Sequence, residues 1–478
     1  MQGKIIRQKS GLVGGLLALG LLVATSVVAW AALGTLLTNI SRTGTDAGYP
    51  AVAANGTNIA VVWSQRYSGG GALQGPIYMQ GTYVDGIHLA VKQVVDGSSS
   101  ENDQSWAPDI AADQTTPAKM HIVWKNLFQG ATHRLFYRAC TIGSSCQAEE
   151  QIISKSDGTS VDLPRLAQGI SRGGMHVVWQ QAKGVNERSI WYAGRIAATN
   201  WHTFSLTSVT DGSDISHPAV AVTTDGTADY VHVVWVNNTS ASKQIRYRKG
   251  TVPVGQNTVP NANWGAVKTW SNPAGNLPVG YPAIAAISNK VVVLWDANSG
   301  TTNEYYALYD VSNDHGATWS GLKEMLTDAT SVGSFTKLPS KVNGTAPEYA
   351  ERLQIQAAFE PGTDKLHVVW HQSVANVDLE QLRHIYYSSR VLSCVSNCWE
   401  AVSNNQNNKY NSNPSEVYSL SPAIAVGPGD QPHVVYMEGK DSFQSDLANT
   451  VFDIIYSGRQ QLIPPPIYFL PIIQKNSS

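Results

Sequence analysis

Charge is scarce in this chain. Only 14 % of its 478 residues are Asp, Glu, Lys or Arg, and 33 basic side chains nearly cancel 35 acidic ones, for a formal net charge of −2. Binding to a phosphate backbone needs clustered Lys and Arg. No basic stripe or patch stands out, so no nucleic-acid partner is expected. A disordered chain combines few apolar residues with high net charge. Here 42 % of residues are hydrophobic, which excludes disorder and supplies a large core. Cysteine is rare, with four residues. No segment of useful length shows a helical period. What is abundant is Gly (41), Tyr (20) and Trp (14), the mark of a β-rich chain with many turns.

The N-terminus reads as a targeting segment. Lys4, Arg7 and Lys9 form a positive n-region, no charge occurs from Gly11 to Ser41, and Leu12 to Val28 is strongly apolar. Ala29-Trp30-Ala31-Ala32 offers a small-residue cleavage site. The run is also long enough to anchor in a bilayer. The expected organisation is a signal peptide over 1–32, a body over 35–463, and a Pro-rich spacer with an apolar tail over 464–478. Export places the chain outside the cytoplasm, secreted or at the cell surface, where disulfides persist.

One phrase recurs through the body. It ends at Trp63, Trp124, Trp179, Trp235, Trp295, Trp370 and Tyr436, with spacings of 61, 55, 56, 60, 75 and 66 residues. A typical copy is His176-Val177-Val178-Trp179. Upstream of the phrase lies a Pro and a short strand, as in Pro218-Ala219-Val220-Ala221; downstream lies a third strand, as in Ile190-Trp191-Tyr192. The sixth unit departs, with Gln354 to Phe359 in place of the Pro strand. A fourth, less regular strand follows. This pattern predicts an all-β fold, a seven-bladed β-propeller of four-stranded antiparallel blades. The seventh unit lacks its fourth strand, and Leu36 to Ser41 resembles the missing piece. An N-terminal strand is therefore expected to close the ring, because an open ring would leave an exposed strand edge.

The cysteines fall in two close pairs, Cys140/Cys146 and Cys394/Cys398, each after a third strand. Two local disulfides are expected there. A four-cysteine metal site is the rival reading, disfavoured by the spacing. No metal and no cofactor is expected.

At the same place in the fifth unit the chain reads Ser312-Asn313-Asp314-His315-Gly316-Ala317-Thr318-Trp319. This resembles the Asp-box, S-x-D-x-G-x-T-W, of the bacterial neuraminidase repeat in sialidase-like propellers. The resemblance implies a structural turn between strands three and four, with Asp314 accepting backbone N–H groups, Gly316 at positive φ and Trp319 anchoring the turn. True sialidases also carry an Arg in a F/Y-R-I-P phrase opening the first blade, one of three that bind the substrate carboxylate. Gly48 stands at that place, in Ala47-Gly48-Tyr49-Pro50. That departure argues against sialidase catalysis, and no catalytic residue is assigned.

Residues that repeat at one blade position suit structural roles. This covers the strand-two histidines (His121, His176, His232, His367, His433) and the arginines after strand three (Arg138, Arg195, Arg248, Arg390, Arg459). Residues that break the repeat near one mouth of the ring are the ligand-binding candidates: Arg66, Lys125, Asp296, His371 and Glu438 after strand two, and Trp106, His217 and Tyr281 before the strand-one Pro. Aromatics beside polar groups suit sugar stacking and hydroxyl recognition. Three functions are carried forward: a non-catalytic propeller binding a glycan or surface polymer, a sialidase-type glycoside hydrolase, and a protein-interaction scaffold. Oligomeric state is not legible, and membrane contact is expected only through the N-terminal segment before cleavage.

Overall fold

The computed structural model describes residues 36–458 apart from 42–46, 66–73, 84–86, 95–104, 114–117, 129–131, 143, 145, 148–149, 153–158, 171–172, 185–186, 198–199, 208–213, 239–242, 302–303, 340–352, 374–382, 396–397, 405–418 and 440–451. The N-terminal targeting segment and the C-terminal tail lie outside the described residues. Among those described, regular structure is strand, apart from two single 3-10 turns at Asn261–Asn263 and Val332–Ser334. No described helix is long and apolar enough to cross a membrane.

The strands form seven antiparallel sheets. The first holds Ala47–Asn55, Asn58–Gln65, Gln74–Tyr83 and Ile87–Val94; the second holds Ser105–Ala112, Lys119–Phe128, Thr132–Thr141 and Glu150–Ile152. The third holds Val161–Gln168, Met175–Gly184, Glu187–Ala197 and Asn200–Ser205; the fourth holds Asp214–Thr224, Asp229–Asn238, Lys243–Val252 and Lys268–Ser271. The fifth holds Ala283–Ile287, Lys290–Asn298, Glu304–Ser312 and Lys323–Glu324, with Leu338–Pro339 also on its third strand. The sixth holds Gln356–Phe359, Lys365–Ser373, Arg383–Val391 and Ser403–Asn404. The seventh holds Ser419–Gly427, Gln431–Gly439 and Phe452–Gly458, and its fourth place is taken by Leu36–Asn39, paired from Leu36 opposite Gly458 to Asn39 opposite Ile455.

The second strand of each sheet shows why the repeated phrase is apolar at consecutive positions. In the third sheet Val177, Val178 and Trp179 are all fully buried. Both faces of the sheet are covered, so alternation gives way to a continuous apolar run. The two faces feed different cores. Val61 and Trp63 pack with Val435 and Tyr456 of the seventh sheet, whereas Ala60 and Val62 pack with Ile122 and Trp124 of the second. The same sharing recurs between each sheet and the next. The first strands also touch in order, first sheet to second and onward to the seventh, and the seventh touches the first.

Polar ties run both within and between the sheets. His121, His176, His232 and His367 each place Nδ1 2.6 to 2.8 Å from the hydroxyl of Tyr137, Tyr192, Tyr247 and Tyr387 on the neighbouring third strand. His433 pairs likewise with Tyr456. The strand-three arginines reach across sheets: Arg195 Nη1 donates to Tyr137 at 2.5 Å, and Arg390 meets both Tyr309 and Asp328. Lys290 binds Asp364 at 2.9 Å and Lys365 binds Asp430 at 2.9 Å, each linking one sheet to the next.

The turns after the third strands are fastened locally. Disulfides join Cys140 to Cys146 and Cys394 to Cys398. In the fifth sheet Asp314 Oδ1 accepts Ser312 Oγ–H at 2.7 Å and the N–H groups of Ala317 and Thr318 at 3.0 and 2.8 Å. Oδ2 accepts Thr318 Oγ1–H at 2.5 Å. Burial works to raise the Asp314 carboxyl, but these bonds outweigh it and bring the pKa down to about 2. Gly316 has φ +74°, and a Cβ there would lie 1.9 Å from the Tyr247 hydroxyl, so only glycine fits. Trp319 stands edge-on to Tyr247 and Trp270 of the preceding sheet. Trp264 and Trp399 sit in isolated bridges to Gly250 and Arg390, ahead of the strands proper.

Candidate ligand cavity

Each first strand carries an irregularity that the sequence pattern did not announce. In the first sheet Gly48 pairs with Ser64 but Ala51 pairs with Val62, so Tyr49 and Pro50 together oppose Trp63. Ala107-Pro108, Leu163-Pro164, His217-Pro218 and Ser421-Pro422 oppose Trp124, Trp179, Trp235 and Tyr436 in the same way. The fifth sheet places Tyr281-Pro282 opposite Trp295. The sixth places Gln354-Ile355 opposite Trp370. These are β-bulges, and Pro suits them because the inserted residue is unpaired and no ladder N–H is lost.

The bulge also sets backbone sign. Tyr49, Ala107, Leu163, His217, Gln354 and Ser421 have φ between 45° and 53°. A non-glycine residue there costs about 1–2 kcal/mol. Strain held at equivalent points of six sheets is maintained by the surrounding packing. Its effect is positional: all seven residues that precede the Pro or Ile355 line one cavity of about 350 Å³, bounded by the first strands of all seven sheets.

The wall is chemically uneven. On the side of the second and third sheets lie Asp109, Lys125, Asp162 and Arg165. Lys125 Nζ and Asp162 Oδ1 form an ion pair. Asp109 Oδ2 accepts the N–H of Leu166 on the neighbouring sheet at 2.7 Å. Burial raises its carboxyl above the ordinary value, against the lowering effect of the Arg165 charge and the backbone N–H bonds. Arg165 Nη1 donates to Pro164 O at 3.0 Å. On the next two sheets, the rings of His217 and Tyr281 stack at 3.5 Å between centroids and 16° between planes. Gln354 Oε1 accepts Ser421 Oγ–H at 3.0 Å.

Three of the expected ligand-binding residues, Lys125, His217 and Tyr281, meet in this cavity. Asp296, His371 and Glu438 do not line it. Asp296 and His371 are fully buried between sheets, and Asp296 Oδ2 accepts the N–H of Leu353 at 3.4 Å. Glu438 lies opposite Asp453 on the adjacent strand; burial, reinforced by that charge, pushes its pKa up to about 7. The bulge register also shows that Ala107, not Trp106, holds the place equivalent to His217. Arg66 and the Trp106 side chain lie outside what is described. Sequence reasoning missed Tyr49, Asp109, Asp162, Arg165, Gln354 and Ser421. The offset from the Pro was the available signal: one before it for Tyr49 and Ser421, one after it for Asp109 and Arg165.

Among the described lining residues Arg165 is the one arginine, and none is glutamate. A carboxylate-binding arginine triad is thus not assembled from them. A separate group, Glu360, His367 and Asp430, brings ligand-type atoms within 4.8 Å of one another. Its carboxylates are already engaged: Thr363 Oγ1 donates to Glu360 at 3.0 Å, the Asp430 N–H donates to Glu360 at 2.7 Å, and Lys365 binds Asp430. It acts as a clasp between the sixth and seventh sheets.

No family model matches the chain, and no curated protein matches it. Among solved structures it is similar to the phage phi92 endosialidase, at 11 % identity and TM-score 0.47, covering 93 % of this chain and 70 % of that one. It is also similar to the Trypanosoma rangeli sialidase in complex with the inhibitor DANA, at 11 % identity and TM-score 0.40, covering 73 % of this chain. The match spans 54 % of that sialidase's length. A subtype N10 neuraminidase-like protein of A/little yellow-shouldered bat/Guatemala/060/2010 matches at 12 % identity and TM-score 0.40, over 74 % of this chain and 94 % of that one. Likeness at this level defines no family and carries no functional argument.

Proposed function

We propose that the chain is an exported seven-bladed β-propeller that binds a glycan in its central cavity without catalysis. In this reading each sheet is one blade, and Leu36–Asn39 closes the ring by completing the seventh. Residues 1–32 are a cleaved signal peptide and 464–478 a spacer and tail, which leaves the protein secreted or held at the cell surface. The observation that carries the binding role is the cavity itself. First strands of all seven sheets bound it, and it joins a His217–Tyr281 stack to donors and acceptors on Lys125, Asp162 and Arg165. A volume of about 350 Å³ falls within the range of small-molecule sites. Aromatic faces beside polar groups suit a ring that is apolar on its faces and hydroxylated at its edge. The non-catalytic part rests on Gly48 at the first-blade position and on a lining with one arginine among the described residues.

The test is a glycan array probed with the purified mature protein, followed by Tyr281→Ala. Binding that drops in the variant supports the reading. No binding at high protein concentration would replace it with a scaffold role. Release of sialic acid from a chromogenic sialoside would replace it with the hydrolase.

A further inference from the structure

Asp109 and Arg165 stand one residue after the bulge prolines of adjacent sheets, and both line the cavity. They feel each other's charge. Even so, they form no ion pair within 4 Å: Arg165 is bonded to Pro164 O, and Asp109 accepts from Leu166. A guanidinium has five N–H donors and a carboxylate about four acceptor sites. Most of that capacity is therefore unspent on Arg165, and about half on Asp109, which accepts the backbone N–H groups of Leu166 and Ile110. Beside them, Lys125 and Asp162 already neutralise one another.

We infer that Asp109 and Arg165 are a split donor–acceptor pair that reads the hydroxyls of a neutral sugar, and that the cavity discriminates against sugars bearing a carboxylate. This rests on the reading of the cavity as a glycan site and narrows it. A hydroxyl both donates and accepts, so neighbouring hydroxyls of one ring can donate to Asp109 while accepting from Arg165. A carboxylate offers only acceptors. It would satisfy Arg165 but face Asp109 with like charge in a partly desolvated wall, where repulsion is poorly screened. The His217–Tyr281 stack supplies the face for the ring, so one sugar can engage both sides.

Neutral gluco- and galacto-oligosaccharides are compared with uronate- and sialic-acid-terminated ones on the same array and by calorimetry, using the full mature chain. The expected result is binding of neutral members only, weakened about ten- to hundredfold by Arg165→Met and by Asp109→Asn. Arg165→Lys is expected to recover part of the loss. Asp109→Asn keeps an acceptor for the Leu166 N–H, so the fold is retained. It is also expected to raise the relative affinity for carboxylated sugars, which a purely structural role would not do. Preferential binding of acidic glycans would overturn this inference and leave glycan binding standing. Neutral-sugar binding unchanged in Arg165→Met and Asp109→Asn would also overturn it. Absence of any glycan binding would remove both.

Discussion

Ala107 and Ala53 make a matched pair for testing the strained bulges. Both are alanines on first strands of adjacent sheets, and both are buried, at 3 % and 6 % exposure. They differ in backbone: Ala107 has φ +50°, and Ala53 is an ordinary strand residue paired with Ala60. Replacing either with Gly loses about 0.8 kcal/mol of methyl burial. Either also loses roughly 0.5–1 kcal/mol through the entropy of the unfolded glycine. Ala53→Gly is therefore expected to destabilise by about 1.5 kcal/mol. At position 107 the change also relieves about 1–2 kcal/mol of left-handed strain. The two effects nearly cancel, so Ala107→Gly is expected to be close to neutral. Urea unfolding followed by tryptophan fluorescence reads the difference, because each buried Trp opposite a bulge reports on its own sheet. Equal losses for the two variants would refute the claim that the bulge residues are strained.

Three further outcomes are expected. His433 is held neutral by burial, its pKa pushed down to about 4. A histidine depressed in the fold contributes stability above about pH 6.5 that is lost as pH falls toward 4, about 3 kcal/mol in all. His433→Gln should accordingly flatten the acid limb of a urea-midpoint titration, and an unchanged limb would contradict the assignment. Glu438 has the opposite sign, since its raised pKa makes ionisation costly as pH rises through about 7. Glu438→Gln should then stabilise at pH 8 by about 3 kcal/mol and change little at pH 5, which paired melts at the two pH values would check. Trp370 Nε1 donates to Gln372 Oε1 at 3.0 Å, and Gln372→Asn shortens the acceptor arm by one methylene. A loss of about 1–2 kcal/mol is expected from the stranded indole N–H, and an unaltered denaturation midpoint would show that the bond contributes nothing.

The repeat was legible in the chain because each repeated sheet must place the same apolar strand at the same point each time. Val177, Val178 and Trp179 are buried on both sheet faces, and such strands have to be written as continuous apolar phrases. The partner of Leu36–Asn39 and the two disulfides followed from the same counting. The cavity was legible only in part. His217 and Tyr281 stood out as aromatics ahead of a Pro, and they are its stacked pair. Tyr49 and Ser421 occupy the same place but carried no pattern of their own. Asp109 and Arg165 read as ordinary strand residues. Asp296, His371 and Glu438 looked equivalent to Lys125 by position and are instead buried away from the cavity lining.

Local pattern thus determined the strands, their order and the number of repeats, because burial on both faces leaves a direct signature in composition. Tertiary structure decided which side chains share a cavity. A single inserted residue per first strand reverses which way the following side chains face. That insertion is visible only in the register between one strand and the next.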